Sequence, residues 1–251
     1  MIIYPLAYGL LGVVIGSFLN VCIDRLPGGQ SIVSPPSHCP SCQRPLKAHE
    51  LIPLLSYLIL GGRCRTCGEK IPLRVFLVEL GTGLLFTLIW VRFGLSAETL
   101  LISLYSALLI VMGMIDLEHQ RILNVLSYPA IILGMLTIPL NANGSLWLQL
   151  LGGGIGFGVL FLLAAVSPGA MGYGDVKLIL FIGLIVGYPE IFLALFLAFV
   201  LGGMVAGFLL LTKQVGRKDP IAFGPYLALG GVITLLYGEA ILTWWLRRLG
   251  G

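Results

Sequence analysis

Long runs of apolar residues, separated by short polar connections, occupy most of this chain of 251 residues. A bilayer core of roughly 30 Å takes about 20 mainly apolar helical residues, and a helix satisfies its backbone hydrogen bonds internally. The pattern therefore predicts an all-α polytopic membrane protein with about eight transmembrane helices. The predicted spans are residues 5–22, 76–95, 98–115, 122–140, 146–167, 175–189, 190–212 and 221–246.

Composition and charge support this fold class. Hydrophobic residues make up 58% of the chain and charged residues 10%, which lies outside the range of soluble globular domains. All Lys and Arg residues except Arg92, Arg247 and Arg248 fall on one side of the predicted spans. The positive-inside rule places that side in the cytoplasm and the N-terminus outside it. The sequence has no basic stripe with interleaved aromatic residues, so we expect contact with membrane lipid and no nucleic-acid partner.

One long polar segment interrupts the apolar pattern. Residues 25–75, rich in Pro, Cys and charge, separate the first apolar run from the other seven. We therefore expect three parts: a first transmembrane helix at 1–24, a small cytoplasmic zinc-ribbon-like domain at 25–75, and a seven-helix region at 76–251.

Two CxxC pairs lie in the polar segment, Cys39 with Cys42 and Cys64 with Cys67. Four thiolates at this spacing can surround Zn²⁺ tetrahedrally, and the metal would stabilise a short domain with few core positions. Two disulfides are the alternative, which a reducing cytoplasm disfavours. The pattern predicts a structural Zn²⁺ site with four cysteine ligands, which leaves no position for a reactive water.

An acidic pair is the main candidate for catalysis. Asp116 ends the third predicted span, Asp175 begins the sixth, and two crossings lie between them, so both return to one membrane surface. Two carboxyl groups held close together share a proton, which is the arrangement of aspartic proteases. The alternative is structural: both are helix-end residues, and Asp175 caps its helix.

Further motifs accompany the acidic pair. They are GSFLNV at 16–21, RLP at 25–27, the two CxxC pairs, IDL at 115–117, GYGDVKL at 172–178 and FGPYLA at 223–228. These motifs extend over almost the whole chain. Taken together, they show that the chain resembles the type IV prepilin peptidase family. The GxGD signature of membrane aspartyl proteases falls here on Gly172, Gly174 and Asp175.

The resemblance implies a bacterial inner-membrane endopeptidase that uses Asp116 and Asp175. Its substrates would be type IV prepilins or type II secretion pseudopilins, whose short basic leaders are cut at the cytoplasmic face. Phe223 to Pro225 would form part of the active-site wall. Lys177 would attract negative charge at the site, or would serve only as a positive anchor at a helix end.

The resemblance also implies a second activity, methylation of the new pilin N-terminus from S-adenosylmethionine. Gly62, two residues before Cys64, matches a family position tied to methyl transfer. Glu79, inside the second span, would face the substrate amine or the sulfonium of the cofactor. Its alternative role is to pair with Arg74 or with polar groups of the first helix, such as Ser17 and Asn20.

The chain departs from the family at Leu123, where the family usually has proline, which could alter the start of the next helix. Two other functions stay open at this point. One is a peptidase without methyltransferase activity. The other is a non-enzymatic transporter or scaffold, in which the acidic pair binds cations and the cysteine pairs bind a partner.

Overall fold

The computed structural model describes residues 3–140, 145–166, 171–216 and 220–249. The helices in these ranges are α1 (Ile3–Arg25), α2 (Leu55–Ile59), α3 (Leu73–Phe93), α4 (Ala97–His119), α5 (Asn124–Leu136), α6 (Leu146–Val166), α7 (Tyr173–Val186), α8 (Ile191–Leu211) and α9 (Gly224–Leu249). Short 3₁₀ turns and two isolated β-bridges are the other regular elements there. The all-α fold class is confirmed.

Six of these helices, α1, α3, α4, α6, α8 and α9, are long and apolar enough to cross a membrane. The other two that fall in predicted spans are shorter than a span requires, because α5 has 13 residues and α7 has 14. Gly187 ends α7 early, since its φ of 81° lies in the left-handed region that favours glycine. A multi-pass membrane protein is confirmed, and the count of eight spans stays a prediction.

The chain divides into two compact units, of which the first extends to Thr99 and the second begins at Leu100. In the first unit α1 packs along α3. A Cβ atom at Gly16 would lie 2.8 Å from the Cα of Glu79, which is closer than real side chains come. Glycine at this position lets the two backbones approach. The three-part division expected from the sequence stays a prediction.

In the second unit α7 is the central helix. It packs against α5, α6 and α9, and most of its residues are buried. α6 and α7 approach each other closely at glycines. A Cβ atom at Gly152 would lie only 2.6 Å from the carbonyl oxygen of Gly183. The apolar core around α7 thus holds the first turn of this helix, which carries Asp175, in a fixed place.

Leu123 precedes α5 in an extended conformation, with φ −75° and ψ 134°. Proline is restricted to nearly this φ and often adopts this ψ, so leucine here has the backbone conformation that the family's proline would impose. The backbone at Leu123 is therefore one that the family's proline could also adopt.

Candidate functional site

Asp116 and Asp175 are both buried within the second unit. Asp116 belongs to the last turns of α4, and Asp175 lies in the first turn of α7. The two residues are only 5% and 8% exposed, and their carboxylates are close enough to interact electrostatically. The structure thus brings together the two acidic residues that were paired from the sequence.

The Asp116 carboxylate is held by the N-terminus of α9. The backbone N–H of Gly224 donates a hydrogen bond of 2.9 Å to Oδ2 of Asp116. A helix N-terminus carries partial positive charge, which stabilises an anionic carboxylate. A Cβ atom at Gly224 would lie 2.7 Å from the same Oδ2, so glycine leaves room for this contact.

The surroundings of Asp175 differ from those of Asp116. The backbone N–H of Gly172 stabilises the Asp175 carboxylate, as the helix-capping alternative predicts. Its Oδ1 atom is nevertheless buried and has no hydrogen-bond partner in the described ranges. Capping therefore explains only part of this environment, because it does not account for the burial of a second carboxylate nearby.

Gly174 and Lys177, which lie beside Asp175 in the chain, contact residues in α5 and just before it. Gly174 lies against Ile122, where a Cβ atom would come within 2.9 Å of the Ile122 Cβ. Lys177 donates a hydrogen bond of 2.6 Å from Nζ to Asn124 Oδ1, and Nζ lies 4.8 Å from the centre of the Tyr128 ring. These contacts tie α7 to α5, and the role of Lys177 at the site stays a prediction.

The first unit contains the cysteine cluster. The Sγ atoms of Cys39, Cys42, Cys64 and Cys67 all lie within 4.8 Å of one another. A tetrahedral ion with metal–sulfur bonds of about 2.3 Å sets the sulfur atoms roughly 3.8 Å apart. Cys39 and Cys67 are separated by 3.7 Å, so the cluster fits such an ion.

The two cysteine pairs have matching local structure. The N–H of Cys39 donates to the carbonyl of Arg44, and the N–H of Cys64 donates to the carbonyl of Glu69. The residue after the second cysteine has a positive φ in both loops, 57° at Gln43 and 73° at Gly68. This repeated loop presents the two sulfur atoms of each pair toward those of the other.

Electrostatics favour thiolate at one of these positions. Backbone hydrogen bonds from Cys67 and Thr66 lower the pKa of Cys64 to about 6. A backbone hydrogen bond from Glu69 also lowers the pKa of Cys67, but burial and the neighbouring sulfur atoms outweigh it and raise that pKa to about 12. A bound cation would remove this conflict, because it stabilises all four thiolates together.

An ion pair supports the first cysteine loop. Two side-chain nitrogens of Arg44 each donate a hydrogen bond of 2.9 Å to Glu50. These bonds, with a further one from the backbone N–H of Lys47, lower the pKa of Glu50 to about 2. Because the folded pKa is depressed, the pair stabilises the loop at neutral pH and is lost only as the pH falls toward 2.

Glu79 lies on α3 and is only 4% exposed. Its Oε2 atom accepts a hydrogen bond of 2.7 Å from the backbone N–H of Leu54. Arg74, the partner suggested by the sequence, instead donates to Asp24 and to Asn20. Among the described residues, Glu79 has no ion-pair partner.

Gly62 lies in a tight turn beside Tyr57. Its φ is 66°, and a Cβ atom there would come within 2.9 Å of the Tyr57 ring. The carbonyl of Gly62 also accepts a hydrogen bond of 2.8 Å from the N–H of Ile71, just after the second cysteine loop. Glycine is therefore required at this position both by the backbone conformation and by the space available.

The chain is similar in sequence to known proteins over nearly its whole length. Residues 10–93 match the bacterial peptidase A24 N-terminal domain, and residues 103–207 match the type IV leader peptidase family. A prepilin leader peptidase/N-methyltransferase of Bacillus subtilis (strain 168) is 33% identical over 241 residues, which cover 95% of this chain and 96% of that protein. The chain belongs to the type IV leader peptidase family. The resemblance inferred from the motifs is thereby confirmed.

Other members of the type IV leader peptidase family are similarly related. A Pseudomonas aeruginosa protein of the same name is 33% identical over 279 residues, covering 98% of this chain and 96% of its own length. One from Neisseria gonorrhoeae is 32% identical over 279 residues, covering 97% and 95%. No solved structure matches the chain.

Sequence reasoning missed two contacts in this family member. The Gly224 N–H that binds Asp116 belongs to a quoted motif, but nothing in the motif indicates which atom it contacts. The Leu54 N–H that binds Glu79 is presented by a non-glycine residue at φ 61°, which no local pattern predicts. Both donors are backbone amides, so residue type carries no signal for them.

Proposed function

We propose that this chain is a membrane aspartyl endopeptidase that removes basic leaders from type IV prepilins or type II secretion pseudopilins. The observation that carries the proposal is the burial of Asp116 beside Asp175, with Gly224 bonded to one of the two carboxylates. The motif set and the names of the relatives support the substrate class. A transporter or scaffold would not need this combination of features.

The chemistry requires one ionised and one protonated carboxyl group. The carboxylate takes a proton from water, whose oxygen adds to the scissile carbonyl carbon. The carboxylic acid gives its proton to the leaving amine as the carbon–nitrogen bond breaks. Burial makes double ionisation costly, so a single shared proton is the resting arrangement of Asp116 and Asp175.

The chain also methylates the N-terminus that cleavage creates, as the names of its relatives suggest. When bound, S-adenosylmethionine would supply an electrophilic methyl group to the new amine, which would lose a proton as the neutral thioether leaves. Gly62 and Glu79 belong to this activity, and their tight turn and buried carboxylate support that assignment.

The metal at the cysteine cluster is Zn²⁺, held by Cys39, Cys42, Cys64 and Cys67. The sulfur spacing supports a tetrahedral ion, and four thiolates suit zinc. Such a closed site has a structural role only. It would hold the segment at 25–75 together as a zinc-binding domain whose flanking helices complete the methyltransferase part, whereas residues 76–251 carry the protease core.

The protein lies in the bacterial inner membrane with its N-terminus outside the cytoplasm. Six apolar helices and the names of its relatives support this location, and the distribution of Lys and Arg supports the orientation. The active site and the cysteine cluster then face the cytoplasm, where the leader of an inserted precursor lies.

The test is to incubate the purified full chain with a prepilin, with and without S-adenosylmethionine, and to measure cleavage and the mass of the new N-terminus. We expect cleavage in both samples and one added methyl group only with the cofactor. Cleavage without methylation would indicate a peptidase that has no methyltransferase activity. Absence of both, with a related enzyme active on the same precursor, would refute the proposal.

Substituting Gly224 tests the support of Asp116. In Gly224→Ala the new methyl group must push the Asp116 carboxylate aside, and a displacement of about 1 Å costs roughly 100-fold in rate. We expect cleavage to fall by about that factor in an initial-rate assay. Gly203→Ala is the control, because a Cβ atom there meets nothing within 4 Å; equal rates for the two variants would contradict the prediction.

Substituting Gly62 tests its role in methylation. Alanine at Gly62 or at its neighbour Gly61 meets the same backbone strain of about 1–2 kcal/mol, since both have positive φ. Only Gly62→Ala also displaces Tyr57, because a Cβ atom at Gly61 has nothing within 4 Å. We expect similar losses of thermal stability, but at least a tenfold larger loss of methyl transfer in Gly62→Ala. Equal methyl transfer would assign both glycines to folding alone.

A further inference from the structure

The end of α4 has a backbone conformation that its residue type does not favour. Gln120 directly follows His119, the last residue of α4, and its φ is 51°. Its N–H donates a hydrogen bond of 2.8 Å to the carbonyl of Asp116 and so closes the final turn of the helix. Glycine or asparagine usually occupies such a left-handed position, because other residues are strained there. A glutamine at this position indicates that its side chain has a role beyond ending the helix.

The Gln120 side chain connects the end of α4 to the segment that leads into α9. Its Nε2 atom donates a hydrogen bond of 3.0 Å to the carbonyl oxygen of Pro220. Pro220 lies four residues before Gly224, the first residue of α9, and residues 220–223 belong to no helix or strand. A segment without regular backbone hydrogen bonds has more freedom than a helix, so the bond at Pro220 restricts where it lies.

A second bond joins the same two parts of the chain at the acidic pair. The N–H of Gly224 donates to Oδ2 of Asp116 over 2.9 Å. Asp116 precedes Gln120 by four residues, and Gly224 follows Pro220 by four, so the two bonds link the end of α4 to the start of α9 in antiparallel order. Catalytic groups must be held within about 0.5 Å of their working positions, so both links bear on the Asp116 carboxylate.

The first turn of α9 is the part of this arrangement that needs support. The Phe223 carbonyl accepts its first two hydrogen bonds, of 3.1 and 3.2 Å, and Gly224, a poor helix former, follows at once. Helix ends fray, and fraying here would turn the peptide unit between Phe223 and Gly224 away from Asp116. Packing on α4 holds the helix one turn further on, where a Cβ atom at Gly113 would lie 3.1 Å from the Ala228 Cβ.

We propose that Gln120 is a positioning residue of the peptidase. By holding Pro220, its side chain keeps the first turn of α9 folded and the Gly224 N–H on the Asp116 carboxylate. The carboxylate is then oriented for the reaction before the precursor binds. This inference rests on the proposed endopeptidase function.

The variant Gln120→Gly separates positioning from folding. Glycine adopts a left-handed backbone without strain, so thermal stability in detergent should equal or exceed that of the parent. Loss of the bond to Pro220 should lower kcat for prepilin cleavage about tenfold and change KM less than threefold, since Gln120 acts through Asp116 and not on the precursor. Lower stability together with lower activity, or cleavage like that of the parent, would overturn the inference.

Gln43→Gly is the matched control. Gln43 also has a positive φ, 57°, and its Nε2 donates a hydrogen bond of 2.7 Å to the carbonyl oxygen of Pro40. The second cysteine loop has glycine at the equivalent position, Gly68, so this backbone accepts the change. Gln43 belongs to the first unit, and we expect Gln43→Gly to cleave prepilin at the rate of the parent. An equal loss in both glycine variants would assign the effect to the change in backbone and contradict the inference.

Two further measurements keep the inference testable if Gln120→Gly does not fold. Gln120→Met keeps the length of the side chain and the backbone strain but has no donor, so we expect the same loss of cleavage. Combined with Gly224→Ala, it should add no further loss, because both changes act on the one bond to Asp116. Losses that multiply would show that Gln120 acts by another route. Normal cleavage by Gln120→Met would contradict its role, whereas a parent that cuts no prepilin would contradict the proposed endopeptidase itself.

Discussion

Replacing Asp116 or Asp175 with asparagine is expected to lower prepilin cleavage by at least about 1,000-fold, because residues that act as a catalytic unit lose nearly all activity when one is removed. Asparagine preserves the size of the side chain, and at Asp116 its carbonyl oxygen can still accept the Gly224 hydrogen bond. Initial cleavage rates of the purified variants, with equal accumulation confirmed, would measure the effect.

The double variant gives a sharper test of the pair. If the two carboxyl groups share one proton and act together, Asp116→Asn with Asp175→Asn costs no more than either change alone. Additive losses would mean that the groups act independently. Glu98→Gln, the same chemical change near the opposite end of α4, is the control and should cut like the parent. Methylation of an already cleaved pilin should persist in both aspartate variants, since their site lies outside the first unit.

The closeness of Asp116 and Asp175 was predictable from the sequence by a topological argument. Two predicted crossings lie between the two residues, so errors of a few residues at the helix ends do not change the surface on which they are expected. The cysteine cluster was predictable for a similar reason, since the two short loops repeat the same spacing. Both predictions depended on carboxylate or thiol side chains, whose type and position are read directly from the sequence.

The features that sequence did not reveal depend on backbone geometry. Gly224 binds Asp116 through an N–H that every residue except proline has, and Leu54 reaches Glu79 only because its φ is positive. The sequence offered Arg74 as the partner of Glu79, but the guanidinium bonds Asp24 and Asn20 instead. Charge alone could not decide between these acids, because Glu79 lies on the same helix as Arg74 and Asp24 lies on α1, which packs along it.

The short length of α7 was also difficult to anticipate. Its apolar run continues beyond Val186, and the sequence predicted a span to residue 189, but Gly187 ends the helix. A helix buried by its neighbours on several sides does not need the length of one that faces lipid alone. Because α7 begins at Tyr173, Asp175 lies in its first turn, and the burial of α7 extends to that residue.

Removing one cysteine ligand is expected to abolish methyl transfer while affecting cleavage far less. Structural zinc contributes on the order of 10 kcal/mol to the folding of small metal domains, so Cys39→Ser or Cys64→Ser should release the ion and loosen both loops. Cys39 and Cys64 also line a cavity of about 480 Å³ that Glu79 lines as well, so loosening the loops would disturb the surroundings of Glu79. We expect bound zinc, measured by elemental analysis, to fall to background and methyl transfer to fall at least 100-fold.

Cys22 provides the matched control, because it is buried in α1 and does not belong to the cluster. Cys22→Ala should retain its zinc and both activities, which separates loss of a ligand from loss of any thiol. A cysteine-ligand variant that lacks zinc yet methylates like the parent would show that the loops hold their shape without metal. Loss of cleavage as severe as the loss of methylation would mean that the cysteine segment supports the whole protein rather than the methyltransferase part.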